Sequence, residues 1–150
     1  MLFWITALLA FALDAGSKIL ADRFLQDRAI RLGWLAELRL TQNTGMAFGL
    51  LADNALAGIL LPLTAILCGW LLMRHYRVTR FTAAACGLVL GGFIGNFAER
   101  LLFGYVRDMI FLPWLPWFVC NAADICICFG VAALAFSLLF RPQDWQEKAR

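Results

Sequence analysis

Charge is what this sequence has least of. Only 15% of its 150 residues are Asp, Glu, Lys or Arg, against about 25% in ordinary soluble domains. The net charge of +3 is small and the arginines are scattered, which excludes a basic nucleic-acid binder. Metal-ligand spacing is missing as well. Cys68, Cys86, Cys120, Cys126 and Cys128 make an odd set, and the last two sit two apart, on different faces of a helix. No metal site and no cofactor are expected from them; they read as small apolar fillers. What the chain has in excess is apolar surface: 63% of residues are hydrophobic, where about 45–50% is usual. A mean hydropathy of +0.77 is too high for a soluble domain of this size. The length allows one domain, residues 1–150. Four membrane spans of ~20 residues each would use roughly half of it.

Four apolar stretches have the length of a membrane-crossing helix: about 2–20, 55–73, 81–103 and 119–140. The fold class expected is therefore an all-α membrane protein of four transmembrane helices. Between the first two spans lies a polar segment, about 21–54, whose part from Leu32 to Phe48 lacks helical periodicity and suits short strands. A tight basic turn, Arg74 to Arg80, joins spans two and three. A loop holding Pro113, Pro116, Phe111, Trp114 and Trp117 joins spans three and four. The first stretch lacks a basic leader and is interrupted by Asp14 and Lys18, so it reads as a retained span rather than a cleaved signal. The positive-inside rule places the 74–80 turn and both termini in the cytoplasm: the turn carries Arg74, Arg77 and Arg80, and the tail Arg141, Lys148 and Arg150. Gly87, Gly91 and Gly95 recur every four residues in the third span, the small-residue pattern of tightly packed membrane helices.

Ionisable groups within spans are costly and usually functional, and here they gather near span ends. Asp14 and Lys18 are an i,i+4 pair with the acid first, the better order for a local ion pair. Asn43-Thr44-Gly45 lies in the long loop. Asn96 and Arg100 share a face of the third span, with Glu99 beside them. Asp108 follows that span, and Asp124 opens the fourth, on one face with Asn121. Taken singly, each of these two acids caps a helix or pairs with Arg100 or Arg107. Taken together, they lie on either side of a reversing loop and can meet at one membrane surface. Two carboxylates held close share a proton, and such a pair activates a water while protonating a leaving group.

In order, Asp14-Ala15-Gly16-Ser17-Lys18, Asn43-Thr44-Gly45-Met46-Ala47-Phe48-Gly49, Gly95-Asn96-Phe97-Ala98-Glu99-Arg100, Gly104-Tyr105-Val106-Arg107-Asp108 and Asn121-Ala122-Ala123-Asp124 resemble the motif series of the signal peptidase II (lipoprotein signal peptidase) family. The resemblance covers order, spacing and layout over essentially the whole chain. It implies a bacterial intramembrane aspartic peptidase that cuts prolipoproteins just before the lipidated cysteine. Asp108 and Asp124 would be the catalytic pair. Asp14, Lys18, Asn43, Gly45, Asn96, Arg100 and Asn121 would support the site or bind substrate. The resemblance also implies a small extracytoplasmic β-cradle from the 21–54 loop, an active site near the extracytoplasmic surface of the cytoplasmic (inner) membrane, membrane lipids as partners and globomycin as an inhibitor. Four positions depart from the family pattern: Ala15 stands for a usual Gln, Glu99 for Asp, Met109 for Phe, and Ile125 for a frequent Ser. Two other classes are open to these residues. One is a small proton-coupled transporter with Asp14, Asp108 and Asp124 as relay acids; the other is a non-catalytic relative that binds lipoproteins.

Overall fold

The computed structural model describes residues 1–44 and 55–147. Its elements run α1 (Leu2–Leu25), β1 (Ile30–Leu32), β2 (Ala36–Asn43), α2 (Ala55–His75), α3 (Arg80–Phe103), β3 (Val106–Phe111), β4 (Val119–Cys120) and α4 (Ala122–Phe140), followed by a short 3₁₀ turn, Pro142–Trp145. Among the described residues, α1, α3 and α4 are each long and apolar enough to cross a membrane.

These helices are amphipathic in an unusual sense. On α1 the residues turned inward are Ala7, Ala10, Asp14, Lys18, Ala21 and Leu25, a stripe at three- and four-residue spacing that is mostly small or charged. Outward go Trp4, Leu8, Leu9, Leu13, Leu20 and Phe24. Large apolar side chains gain nothing by leaving a hydrocarbon solvent, so the interior is left to small residues that bring backbones close. The glycine stripe behaves as its spacing predicts. A Cβ at Gly87 would overlap Thr6, one at Gly91 the carbonyl oxygen of Ala7, and one at Gly95 the carboxylate of Asp14, all on α1. Gly92, on another face, lies against the carbonyl oxygen of Ala123 on α4. The central helix is thus α3, pressed on both sides by helices that its glycines admit. It begins with a capping box between Thr79 and Thr82 and ends at Gly104, whose φ of 79° is the left-handed conformation that closes a helix.

The expected span limits shift. The first helix continues to Leu25 rather than stopping near Leu20, because the Asp14–Lys18 pair is turned into the bundle and does not end it. The fourth begins at Ala122, since Val119 and Cys120 are strand. The strands expected in the 21–54 segment are present, but the sheet extends beyond that segment. Among the described residues there is one antiparallel sheet of order β1-β2-β3-β4, and only half of it comes from the 21–54 segment. The other half comes from the 104–120 connection, where the prolines of the reversing loop hide a hairpin whose strands pair Ile110 with Cys120. Of the cysteines, Cys120 and Cys126 are buried, but Cys68 and Cys128 face outward, so the filler reading holds only for part of the set.

Candidate active site

The sheet and the helix starts converge on one polar cluster at the end of α3. Strand β2 pairs with β3 so that Thr41 faces Asp108 and Asn43 faces Val106. Asn43 is then the diagonal neighbour of Asp108 on the same face, and its amide donates to Oδ2 of Asp108 at 2.8 Å. The other oxygen, Oδ1, accepts from Nδ2 of Asn121 at 2.7 Å. Strand β4 runs straight into Asn121, the N-cap of α4. That residue's Oδ1 accepts the N–H of Asp124 at 3.0 Å, and its own N–H donates to Oδ2 of Asp124 at 3.1 Å, a reciprocal capping box. Asp124 therefore does cap a helix, with one oxygen. Its other oxygen, Oδ1, accepts from Nδ2 of Asn96 at 2.9 Å.

Asn96 and Asn121 join the two acids. Nδ2 of Asn121 also donates to Oδ1 of Asn96 at 3.1 Å, so one amide touches Asp108 while the amide it contacts touches Asp124. Lys18 fixes the orientation of Asn96 by donating to the same Oδ1 at 2.8 Å. Lys18 is held in turn by Asp14 at 2.7 Å, and the second oxygen of Asp14 accepts the N–H of Ala123, in the first turn of α4, at 3.0 Å. The pair is almost wholly buried. A lysine that neutralised its aspartate only locally would have no reason to reach another helix, so this pair is site architecture. Arg100 is half-buried and within electrostatic reach of Asp124, Asp108 and Glu99.

Of the expected site residues, Asp14, Lys18, Asn43, Asn96, Arg100, Asp108, Asn121 and Asp124 thus come together. Gly45 lies outside the described residues. Sequence reasoning placed Glu99 with Arg100. Its carboxylate is within electrostatic reach of Arg100, and it also receives both the backbone N–H and the guanidinium of Arg107, at 2.8 and 2.7 Å, and stands 3.5 Å from Lys18. Asp22 takes the far side of Arg107 at 2.6 Å. The one signal for this group was an arginine eight residues after a buried acid. Nothing in the sequence pointed to Asp22.

Burial pushes the Asp108 carboxyl up to about 6 and the charge of Asp124 adds to the rise, against hydrogen bonds from Asn43 and Asn121 that lower it. A carboxyl so placed exchanges its proton near neutrality, as a general acid or base must. The neighbouring thiol is shifted the same way, with the opposite consequence for reactivity. Burial, then the charges of Asp124 and Asp108, push Cys120 up to about 12, which removes it as a nucleophile.

Helices long and apolar enough to cross a membrane, with their large apolar side chains turned outward, define a multi-pass membrane protein. The family model for signal peptidase (SPase) II matches residues 6–140. The chain is 33% identical over 142 residues to the lipoprotein signal peptidase of Caldicellulosiruptor bescii, covering 93% of this chain and 91% of that protein. It is 35% identical over 157 residues to that of Pseudomonas paraeruginosa, covering 97% and 91%. The fold matches a bacterial membrane enzyme solved by the in meso method at 2.3 Å resolution, with a TM-score of 0.79 at 21% identity over 97% of this chain and 92% of that one. This chain belongs to the signal peptidase II family.

Proposed function

We propose that the chain is an intramembrane aspartic endopeptidase that removes signal peptides from diacylglyceryl-modified prolipoproteins, with Asp108 and Asp124 as the reacting pair. The observation that carries this reading is the bridge through Asn96 and Asn121, which holds the buried carboxyl of Asp108 and the partly buried one of Asp124 in one hydrogen-bonded unit. In that unit one carboxylate takes a proton from water as the oxygen attacks the scissile carbonyl carbon. The other, protonated, gives its proton to the carbonyl oxygen; as the C–N bond breaks, the first carboxyl passes the proton it took from water to the leaving nitrogen and the second recovers its own from the gem-diol hydroxyl. The pair titrates as a unit, so the two roles belong to the pair and not to one residue each. Asn43 and Arg100 border the place where the peptide backbone would lie.

In this reading α2 is the fourth span, both termini face the cytoplasm, and the sheet stands at the extracytoplasmic surface of the inner membrane. The lipidated cysteine stays anchored in the bilayer while the bond before it reaches the pair from the side. Globomycin, an inhibitor associated with the family, is expected to compete there.

The test is cleavage of a lipidated prolipoprotein by purified enzyme in detergent. Asp108→Asn and Asp124→Asn should each lose about 10²–10⁴-fold in turnover, the range that general acid–base catalysis supplies, while still binding globomycin. Near wild-type turnover in either variant would overturn the assignment. Binding without cleavage by the unaltered chain would leave the lipoprotein-binding relative in its place.

A further inference from the structure

Asp108 is held at its side chain by two amides, but its backbone is held by something else. Strand β3 starts only two residues after the Gly104 cap of α3. Across this short turn a single carboxylate, that of Glu99, reaches from the last turns of α3 to the N–H of Arg107, the residue before Asp108. The same carboxylate receives the Arg107 side chain through Nε at 2.7 Å, and a second guanidinium nitrogen is in contact with it. Arg107 is anchored in its turn by Asp22 on α1 and lies over the Phe103 ring. The oxygen that accepts the Arg107 N–H, Oε2, also faces Lys18, the ammonium that orients Asn96 and through it Asp124. Two arms of the site therefore meet at one side chain. One arm runs from Glu99 through the Arg107 backbone to Asp108. The other runs from Glu99 through Lys18 and Asn96 to Asp124.

We propose that Glu99, braced by Arg107 and Asp22, is a positioning residue that sets the placement of Asp108 relative to Asp124. The proposal rests on the reading of those two acids as the reacting pair. It gives the acid at position 99 a purpose, because its carboxylate spans the turn to the Arg107 N–H while remaining beside Lys18. A misplacement of about 1 Å at a reacting group is enough to lower turnover 10²-fold, so a shorter tether should be felt at Asp108 without any change of charge.

Length and charge separate cleanly at this position. Glu99→Asp keeps the charge and loses a methylene; turnover should fall fivefold or more, with KM within threefold and the pH limbs of kcat unmoved. Glu99→Gln keeps the length and an oxygen for the Arg107 N–H but loses the charge. It should keep at least a third of wild-type kcat and move the pH limbs of the pair downward. The sign follows from the charged groups around Glu99: Lys18 on α1 and Arg107 on β3 touch it, Asp14 on α1 and Arg100 on α3 are within electrostatic reach, and Asp22 on α1, Asp108 on β3 and Asp124 on α4 stand beyond these, next to Arg107 or in reach of Arg100. Removing its negative charge leaves Lys18 and Arg107 less neutralised, and both then favour ionised aspartates. A Glu99→Asp variant within twofold of wild type overturns the proposal, as does a Glu99→Gln variant that falls as far as Glu99→Asp with unmoved limbs. Asp108→Asn serves beside them as the separate check on the pair itself. If it stays active, the reaction assignment falls; if it is inactive while both Glu99 variants behave as wild type, only the positioning role falls.

Discussion

Two aspartates close to opposite ends of this molecule are buried to the same degree and behave in opposite ways. Asp108 is 1% exposed and Asp144 is 2% exposed. Asp144 sits in the 3₁₀ turn after α4, where Nε of Arg141 donates to it at 2.6 Å and Oγ of Ser137 at 2.8 Å. The Arg141 guanidinium beside it, with Ser137 and Thr79, holds its carboxyl below the usual carboxylate range. Around it the chain end is clasped to the α2–α3 turn, by the Arg77 N–H on the carbonyl of Gln146 at 2.8 Å and by Tyr76 edge-on to Trp145. Asp108 is held instead by two amides. In reach it has a second carboxylate, and its own carboxyl rises to about 6. Burial is common to both, so burial does not make a reactive group. The partner does: a guanidinium settles the charge for good, whereas amides and a like charge leave the proton exchangeable.

The most drastic way to break the comparison is to exchange acid for amide at each end. Asp108→Asn should remove about 10²–10⁴-fold of turnover. Asp144→Asn should leave turnover within about threefold, since it touches nothing in the reacting cluster, yet lower the thermal midpoint by loosening the clasp. Equal losses of turnover at the two ends would mean that the end of α4 takes part in the reaction. Next in size is Asn121→Ala. It deletes the cap of α4, costing about 1 kcal/mol of stability, and the donor to Asp108. Hydrogen bonds to charged groups are worth ~1.5–3 kcal/mol, so kcat should fall roughly 10–100-fold. A fall in thermal midpoint without a fall in kcat would reduce Asn121 to a cap.

The two ends also differ in how far they could be read from the chain. Asp108, Asp124, Asn96, Asn121, Lys18 and Asp14 were legible because each is a polar residue where hydrocarbon should exclude it, and their order matched a known series. The capping box of α4 was legible as an i,i+3 pair of Asn121 and Asp124. The sheet was only half legible: a helical period vanishes visibly between Leu32 and Phe48, but Val106–Phe111 is too short to show an alternation, and two prolines masked the hairpin. Its pairing with β2 is a contact between residues roughly 70 apart in the chain, which no local pattern records. The role of Glu99 was invisible for a different reason. Its adjacent arginine, Arg100, is the partner the sequence suggests, whereas the backbone turn after Gly104 also brings Arg107 to the carboxylate. The Asp144 clasp lies in a stretch that reads as a charged tail, and nothing in the sequence singled it out.

A finer sharpening concerns the amides around Asp108. Asn43 bonds the carboxylate and lowers its affinity for a proton. Asn43→Ala removes a bond made to the charged form, so the proton is held more tightly and the limbs of the kcat profile should move to higher pH, by at most about one unit. An unmoved profile, measured between about pH 4 and 9, would show that Asn43 serves the fold of β2 and not the acidity of the pair. The direction is opposite to that expected for Glu99→Gln, so the two variants together distinguish a lost hydrogen bond from a lost charge.

The smallest effect is in the pH dependence of stability, where the two aspartates should pull in opposite directions. Asp108 has a raised value in the folded chain, so its contribution is fully present below the unfolded value near 3.8 and is lost as pH rises through about 6. Asp144 has a lowered value, so its contribution is present above the unfolded value and is lost as pH falls through the folded one. Thermal midpoints of Asp108→Asn relative to wild type should therefore climb between pH 4 and 8, by a gap worth up to about 3 kcal/mol. Those of Asp144→Asn should sink relative to wild type as pH rises from acid toward neutrality. The comparison is made on the slope because the introduced amide offers one acceptor to two amide donors, which offsets every midpoint alike. A flat difference for Asp108→Asn would mean that the buried carboxyl carries no proton penalty, and with it would go the physical reason for placing the reaction there. A rising one would mean that the molecule holds an ionised acid at a cost in stability that the clasped aspartate at the other end does not impose, as expected where function and not folding keeps the residue.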